Sequence, residues 1–157
     1  MKFSCEKALL QAAVATASRA AAAKSTIPAL EGILLQAGHS LTVSGYNMQT
    51  GIRTNLDADV TQEGALVLPA RLFGEIIRRM PDDVITFAAD TGMNVRLTCG
   101  DAAYNITALS ADDYPELPEV EDQYSIRIQQ QILRSMIGET SFAVSADEAR
   151  PIHTGSL

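Results

Sequence analysis

Residues from Tyr124 onward repeat the N-terminus at a constant offset of 123. Adding 123 carries Phe3 to Ile126, Cys5 to Ile128, Leu9 to Ile132, Leu10 to Leu133, Val14 to Ile137, Pro28 to Pro151, Gly32 to Gly155 and Leu34 to Leu157. The match keeps its register over 34 residues without a gap, and self-similarity at a fixed period marks one structural unit used more than once. The expectation is one complete unit over 1–121, an acidic connector at about 111–123, and an incomplete start of a second unit over 122–157.

A chain of 157 residues with 46% hydrophobic content can close one core in the complete unit. Trp is absent and aromatics are 5%, so that core is expected to be built from Ile, Leu, Val and Ala. The formal charge of -7 argues against a nucleic-acid partner only if it is spread evenly. It is not. Residues 1–110 carry 9 basic and 10 acidic side chains, 111–123 carry 6 acidic and no basic ones, and 124–157 carry 3 of each. The acidic stretch contains Pro115 and Pro118, which forbid a regular helix or a central strand. The folded unit is therefore nearly neutral and free to carry a local basic patch.

The start of the chain has the look of a secretory signal, but Glu6, Lys7, Gln11 and Arg19 interrupt any apolar stretch. No apolar run approaches the roughly 18 residues of a membrane span. Cys5 and Cys99 both fall in strand-like segments and read as buried thiols. The expectation is a cytoplasmic protein with no membrane association.

Met1 to Cys5 alternates as a strand, and Glu6 to Arg19 switches to helical spacing with Leu9, Leu10, Ala13, Val14 and Ala17 on one face. Strands are expected over Ser25–Ala37, Ser40–Ser44 and Gly51–Ala58, the last two joined by a turn at Gly45-Tyr46-Asn47. A further strand over Ala65–Pro69 leads into a second helix from Ala70, with Leu72, Phe73, Ile76, Ile77 and Met80 as its apolar positions and Pro81 as its stop. Strands follow over Val84–Ala88, Met93–Thr98 and Ala102–Ala108, with Gly100-Asp101 as a hairpin turn. The pattern is strand, helix and three strands, twice. It predicts an α+β fold whose two helices pack on one side of antiparallel sheets.

Several acids are paired along the chain: Asp57 with Asp59 on one strand, Asp82-Asp83, Asp112-Asp113 and Asp147-Glu148. None comes with a nearby His, a phosphate-binding loop or a nucleophile motif, so solvated surface acids are expected rather than a hydrolase. His39 and His153 are too few for a zinc site. No catalytic residue, metal or cofactor is expected.

Arg71 and Arg78 lie seven apart on the second helix and share a face opposite Phe73 and Ile77; Arg79 flanks that face and Lys24 follows the first helix. Two readings stay open at this point, a solvated surface or a set of phosphate contacts. Without a base-reading set such contacts would position nucleic acid and not specify its sequence. Ile76, Met80, Tyr104 and Ile106 are either core or interface, since the strand over Ala102–Ala108 ends its unit and an edge strand invites another chain. A protein-binding module using that edge is the alternative function.

Met1-Lys2-Phe3, Thr26-Ile27-Pro28, the run Val67-Leu68-Pro69-Ala70-Arg71-Leu72-Phe73, Tyr114-Pro115-Glu116-Leu117-Pro118, Phe142-Ala143-Val144-Ser145, Arg150-Pro151-Ile152 and Thr154-Gly155 together resemble the bacterial DNA polymerase III beta subunit, the family of replication sliding clamps. The resemblance covers the chain in order. It implies the DNA-clamp fold and a non-enzymatic processivity factor, a head-to-tail homodimeric ring around double-stranded DNA that tethers the polymerase III catalytic subunit and is loaded by the clamp loader. Three copies at this offset need about 369 residues, so the resemblance implies an N-terminal fragment: the first clamp domain and the opening of the second, without the rest of that domain or a third. By position Lys24 and Arg71 match residues that face DNA, with Arg78 and Arg79 on the same lining helix. Ile76, Met80, Tyr104 and Ile106 match the first-domain side of the subunit interface. Arg150 and His153 match the first elements of the pocket that takes apolar peptide motifs of partners; His153 departs from the apolar residue often found there.

Overall fold

The computed structural model describes residues 1–118, 125–147 and 149–156. The chain divides into two compact units, Met1–Pro118 and Glu119–Leu157.

In the first unit, strand β1 (Lys2–Glu6) buries Phe3 and Cys5 on one side and runs directly into helix α1 (Lys7–Ala17). α1 buries Leu10, Ala13, Val14 and Ala17. Leu9, expected on that face, is 44% exposed, because it lies at the margin of a stripe that Leu10 and Val14 centre. A 3-10 turn over Ser18–Ala20 ends the helix. Strands β2 (Gly32–Ala37), β3 (Leu41–Tyr46), β4 (Gly51–Leu56) and β5 (Asp59–Gln62) follow. The second half runs through β6 (Gly64–Pro69), α2 (Ala70–Arg79), β7 (Val84–Ala89), β8 (Asn94–Cys99), β9 (Ala102–Thr107) and the short β10 (Leu109–Ser110).

The expected bounds of strands and turns in this unit need correction at three places. The strand placed over Ser25–Ala37 begins only at Gly32, because Pro28–Glu31 forms a 3-10 turn with Pro at its first position. That turn is tied off by the Ser25 amide donating to Glu31 Oε1 at 2.9 Å and the Ile27 amide donating to Ser25 Oγ at 3.1 Å. The turn placed at Gly45 comes later: Gly45 and Tyr46 are within β3, and Asn47 Oδ1 accepts from the amides of Gln49 and Thr50 while Met48 takes φ 72°. Asp57 and Asp59 do not share a strand, since β4 ends at Leu56 and β5 starts at Asp59.

The sheets pair across the two halves. One has the order β5-β1-β7-β8-β9 and the other β10-β6-β2-β3-β4, antiparallel at every pairing. Shifting each strand number by five converts one order into the other, so the two halves are related as a duplicated unit. Each half sends its first strand into the other half's sheet: Phe3 pairs with Phe87 and Leu34 with Val67. The halves therefore do not each carry a helix over a private sheet. They share one core.

That core is lined by Leu10, Ile33, Leu35, Leu41, Leu68, Ile77, Ile85 and Leu97, together with Phe3, Phe73 and Phe87. Three of the four phenylalanines thus sit in a core expected to be aliphatic. Phe3 and Phe87 stack with centroids 4.6 Å apart across the β1–β7 ladder, an arrangement worth about 1 kcal/mol beyond area burial. A smaller cluster of Ala29, Leu30, Tyr46, Val67 and Tyr114 lies beside it. Cys5 and Cys99 are buried free thiols.

In the second unit, α3 (Gln130–Thr140) is followed by 3-10 turns over Ser141–Ala143 and Pro151–His153. Adding 123 to the bounds of α1 and of its terminal turn gives the bounds of α3 and its turn. The residues before each helix match as well, Glu6 at φ -63°, ψ 133° and Gln129 at φ -66°, ψ 134°. Residues 125–129, which correspond to β1, form no ladder among the described residues. Ile132, Leu133, Met136 and Ile137 remain exposed on α3. Residues 119–123 of the expected connector, Glu148 of the Asp147-Glu148 pair and the repeat's ends, Tyr124 and Leu157, lie outside the described residues. No helix among the described residues is long and apolar enough to cross a membrane.

Candidate nucleic-acid interface

Helix α2 starts where Pro69 ends β6 and stops at Met80, just ahead of Pro81. It is strongly two-sided. Ala70, Phe73, Ile76 and Ile77 are buried, and Arg71, Arg78 and Arg79 are exposed. The division follows from the 3.6-residue period, which puts positions 71 and 78 on one line along the helix. Gly74 faces α1: a Cβ there would meet Val14 Cγ1 at 3.8 Å. The aromatic and β-branched side chains thus face the core and anchor a helix whose cations point away from it.

The Arg71 side chain is 95% exposed, and its Nε lies 3.4 Å from Glu75 Oε1. Arg78 and Arg79 make no ion pair among the described residues. Both stand in the last turn, where the helix dipole favours positive charge. Lys24 is exposed in the segment between the turn after α1 and Pro28. Arg19 was not singled out from sequence; it is exposed in that turn, which packs on α2. No sequence period marks it, because it lies where helical geometry gives way to a 3-10 turn. Exposed, solvated cations without a locking hydrogen-bond network suit phosphate contact and not base reading.

The structure places Ile76, Met80 and Ile106 in the main core, each under 9% exposed, with Tyr104 half-buried and packed against it. β9 is an edge strand of its sheet. What β9 itself offers at that edge is its backbone and the half-buried Tyr104.

Arg150 and His153 are exposed in the second unit, on a loop where the Ser145 amide donates to the His153 carbonyl at 2.8 Å and the His153 amide to the Arg150 carbonyl at 2.9 Å.

The acid pairs have local roles. Asp82 takes the Lys7 ammonium at 2.6 Å, and Asp83 Oδ1 accepts from the amide of Val84 at 2.7 Å. Asp112 shares a turn with Ser110, whose Oγ accepts from the Asp112 amide at 3.2 Å, and Asp147 Oδ1 accepts from the Ala149 amide at 3.0 Å. Among the described residues no three His, Cys, Asp or Glu side chains converge as a metal set. The perturbed groups are scattered: burial pushes the Cys5 thiol up to about 11 and the Tyr114 phenol up to about 12, while hydrogen bonds from Asn94 and Gly92 lower Asp90. None of these groups lies on the outward side of α2.

Residues 1–118 match the family model described as DNA polymerase III beta subunit, N-terminal domain. Curated relatives named beta sliding clamp from Halalkalibacterium halodurans and Bacillus subtilis are each 32% identical over 99% of this chain and 43% of their own length. The chain therefore spans less than half the length of the relatives it matches. Among solved structures, a DNA polymerase III beta subunit from Eubacterium rectale superposes with a TM-score of 0.95 at 32% identity, over 99% of this chain and 43% of that one. The sliding clamp of Bacillus subtilis gives 0.92 at 31%, over 97% and 42%.

Proposed function

The chain belongs to the DNA polymerase III beta subunit family, and from that membership we propose that it serves in a replication processivity clamp, a non-enzymatic ring that encircles duplex DNA in the cytoplasm. The observation that carries this reading is the outward side of α2, which bears Arg71, Arg78 and Arg79 on a helix anchored in the core by Phe73 and Ile77. These arginines and Lys24 contact phosphates. A ring held by topology needs many weak, sequence-blind contacts, since tight or base-specific ones would stop it sliding. The charge of -7 does not oppose this, because 6 of the carboxylates fall within 111–123, where there are no basic residues.

A second protomer joins head to tail along β9, an edge strand that carries Tyr104 and Ile106, with Ile76 and Met80 of α2 contributing from the core. Residues 1–121 are the first clamp domain, and 122–157 open a second one whose helix keeps the register of α1. Arg150 and His153 contribute to a site for the short apolar peptide motifs of the polymerase III catalytic subunit and the clamp loader.

The test is salt-dependent binding to a mixed-sequence duplex. Each phosphate contact contributes roughly 0.9 to the slope of log affinity against log salt, so Arg71→Ala with Arg78→Ala is expected to weaken binding and flatten that slope by about 2. Binding that keeps its strength and slope in the double variant would remove α2 from the DNA-facing surface.

A further inference from the structure

The outward side of α2 carries one carboxylate, placed among its cations. Glu75 follows Arg71 by four residues and precedes Arg78 and Arg79 by three and four, the spacings at which helix side chains are neighbours. Glu75 Oε1 lies 3.4 Å from Arg71 Nε, and the Glu75 side chain is 43% exposed. It caps no helix end and, among the described residues, bonds no backbone group. Its helix-surface pairs with the neighbouring arginines are solvated and contribute only weakly to fold stability.

Resting on the DNA-binding reading above, we infer that Glu75 is an internal stand-in for phosphate. It occupies Arg71 when no duplex is present and lowers the positive potential that Arg71, Arg78 and Arg79 present together. The pair is easily given up, because it is solvated and has Arg N-terminal to Glu, the less favourable order at this spacing. A phosphate oxygen can replace the carboxylate oxygen by side-chain rotation alone, with the helix unchanged. Every phosphate that engages Arg71 thus competes with a tethered anion, and every departing phosphate is replaced by one. Contacts of this kind exchange readily as the duplex moves past.

The experiment compares this chain with Glu75→Gln, Arg71→Ala, their combination, and Asp57→Asn as a charge-matched control away from α2, by fluorescence anisotropy on a mixed-sequence duplex over a salt series. Gln keeps the size and helix preference of Glu and removes only its charge; circular dichroism checks that helix content is unchanged. Glu75→Gln is expected to tighten binding about threefold to tenfold at low salt and to steepen its salt dependence. Asp57→Asn should leave affinity within about twofold, since it is not beside a phosphate-contacting cation. In the Arg71→Ala background the gain from Glu75→Gln should shrink. No gain from Glu75→Gln, or an equal gain from Asp57→Asn, overturns the inference and leaves the DNA-facing surface standing. Arg71→Ala without effect, or no binding by any variant at the lowest salt, overturns the DNA-binding reading itself and the inference with it.

Discussion

Tyr114 and Cys5 link single side chains to the stability of the fold. The Tyr114 hydroxyl donates to the Ser44 carbonyl at 3.5 Å from within the smaller core cluster, and burial raises its pKa from 10.0 to about 12, against a smaller opposing pull from the Tyr46 backbone. Cys5 faces the main core from β1, and burial raises its thiol from 9.0 to about 11. Both groups are neutral when protonated, and the folded state holds those protons more tightly than the unfolded one. Their contribution is complete below the unfolded values of 9.0 and 10.0 and is lost as pH rises through about 11 and about 12. The urea midpoint is therefore expected to change little across neutral pH through these two groups and to fall between about pH 9 and pH 12. The burial of Cys5 follows from alternation in β1, whereas Tyr114 lies in the acidic stretch beside Pro115, where no local pattern announces burial. The elevated pKa values of both were not legible either, because desolvation depends on atoms brought from distant parts of the chain.

At the scale of elements, the decisive contact is between the end of α1 and β3. A Cβ at Gly45 would meet the Ala17 carbonyl oxygen at 2.0 Å and its carbon at 2.8 Å. Both obstacles are backbone, so neither can swing aside. Gly45→Ala is expected to destabilise the domain by about 1–3 kcal/mol or more, read as a lower denaturant midpoint with an unchanged m-value. From sequence, Gly45 reads as a turn residue, because glycine beside Tyr46-Asn47 looks like a chain reversal; the tertiary contact instead makes it the place where helix and strand backbones touch. The helices were legible, since the periods of Leu10, Ala13 and Val14, and of Phe73, Ile76 and Ile77, run long enough to be read. β5 and β10 were not: one is a short, polar edge strand and the other only two residues long, so neither shows a usable alternation. The arginine side of α2 was visible as a spacing, whereas Glu75 gains meaning only from its 3.4 Å approach to Arg71.

For the whole molecule, α1 and α3 make a matched pair of helices with one register and different surroundings. α1 packs Leu10 and Val14 into the core, while their counterparts on α3, Leu133 and Ile137, are 43% and 55% exposed. An 11-residue helix without tertiary cover is marginal in water. Amide hydrogen exchange is therefore expected to protect α1 strongly and α3 weakly, with rates differing by orders of magnitude. Equal protection of both helices would mean that the apolar side of α3 is covered in solution. The sequence by itself determined the helices, most of the longer strands, the 123-residue register and the cationic line of α2, because each is set by local periodicity or by internal similarity. Only the tertiary structure decided that β1 and β6 exchange sheets, that Gly45 is a contact and not a turn, and that Ile76, Met80 and Ile106 are buried in the core. Those outcomes depend on which strands find one another across a shared core, and that choice is made by burial and ladder pairing between residues far apart in the chain, where no local pattern records it.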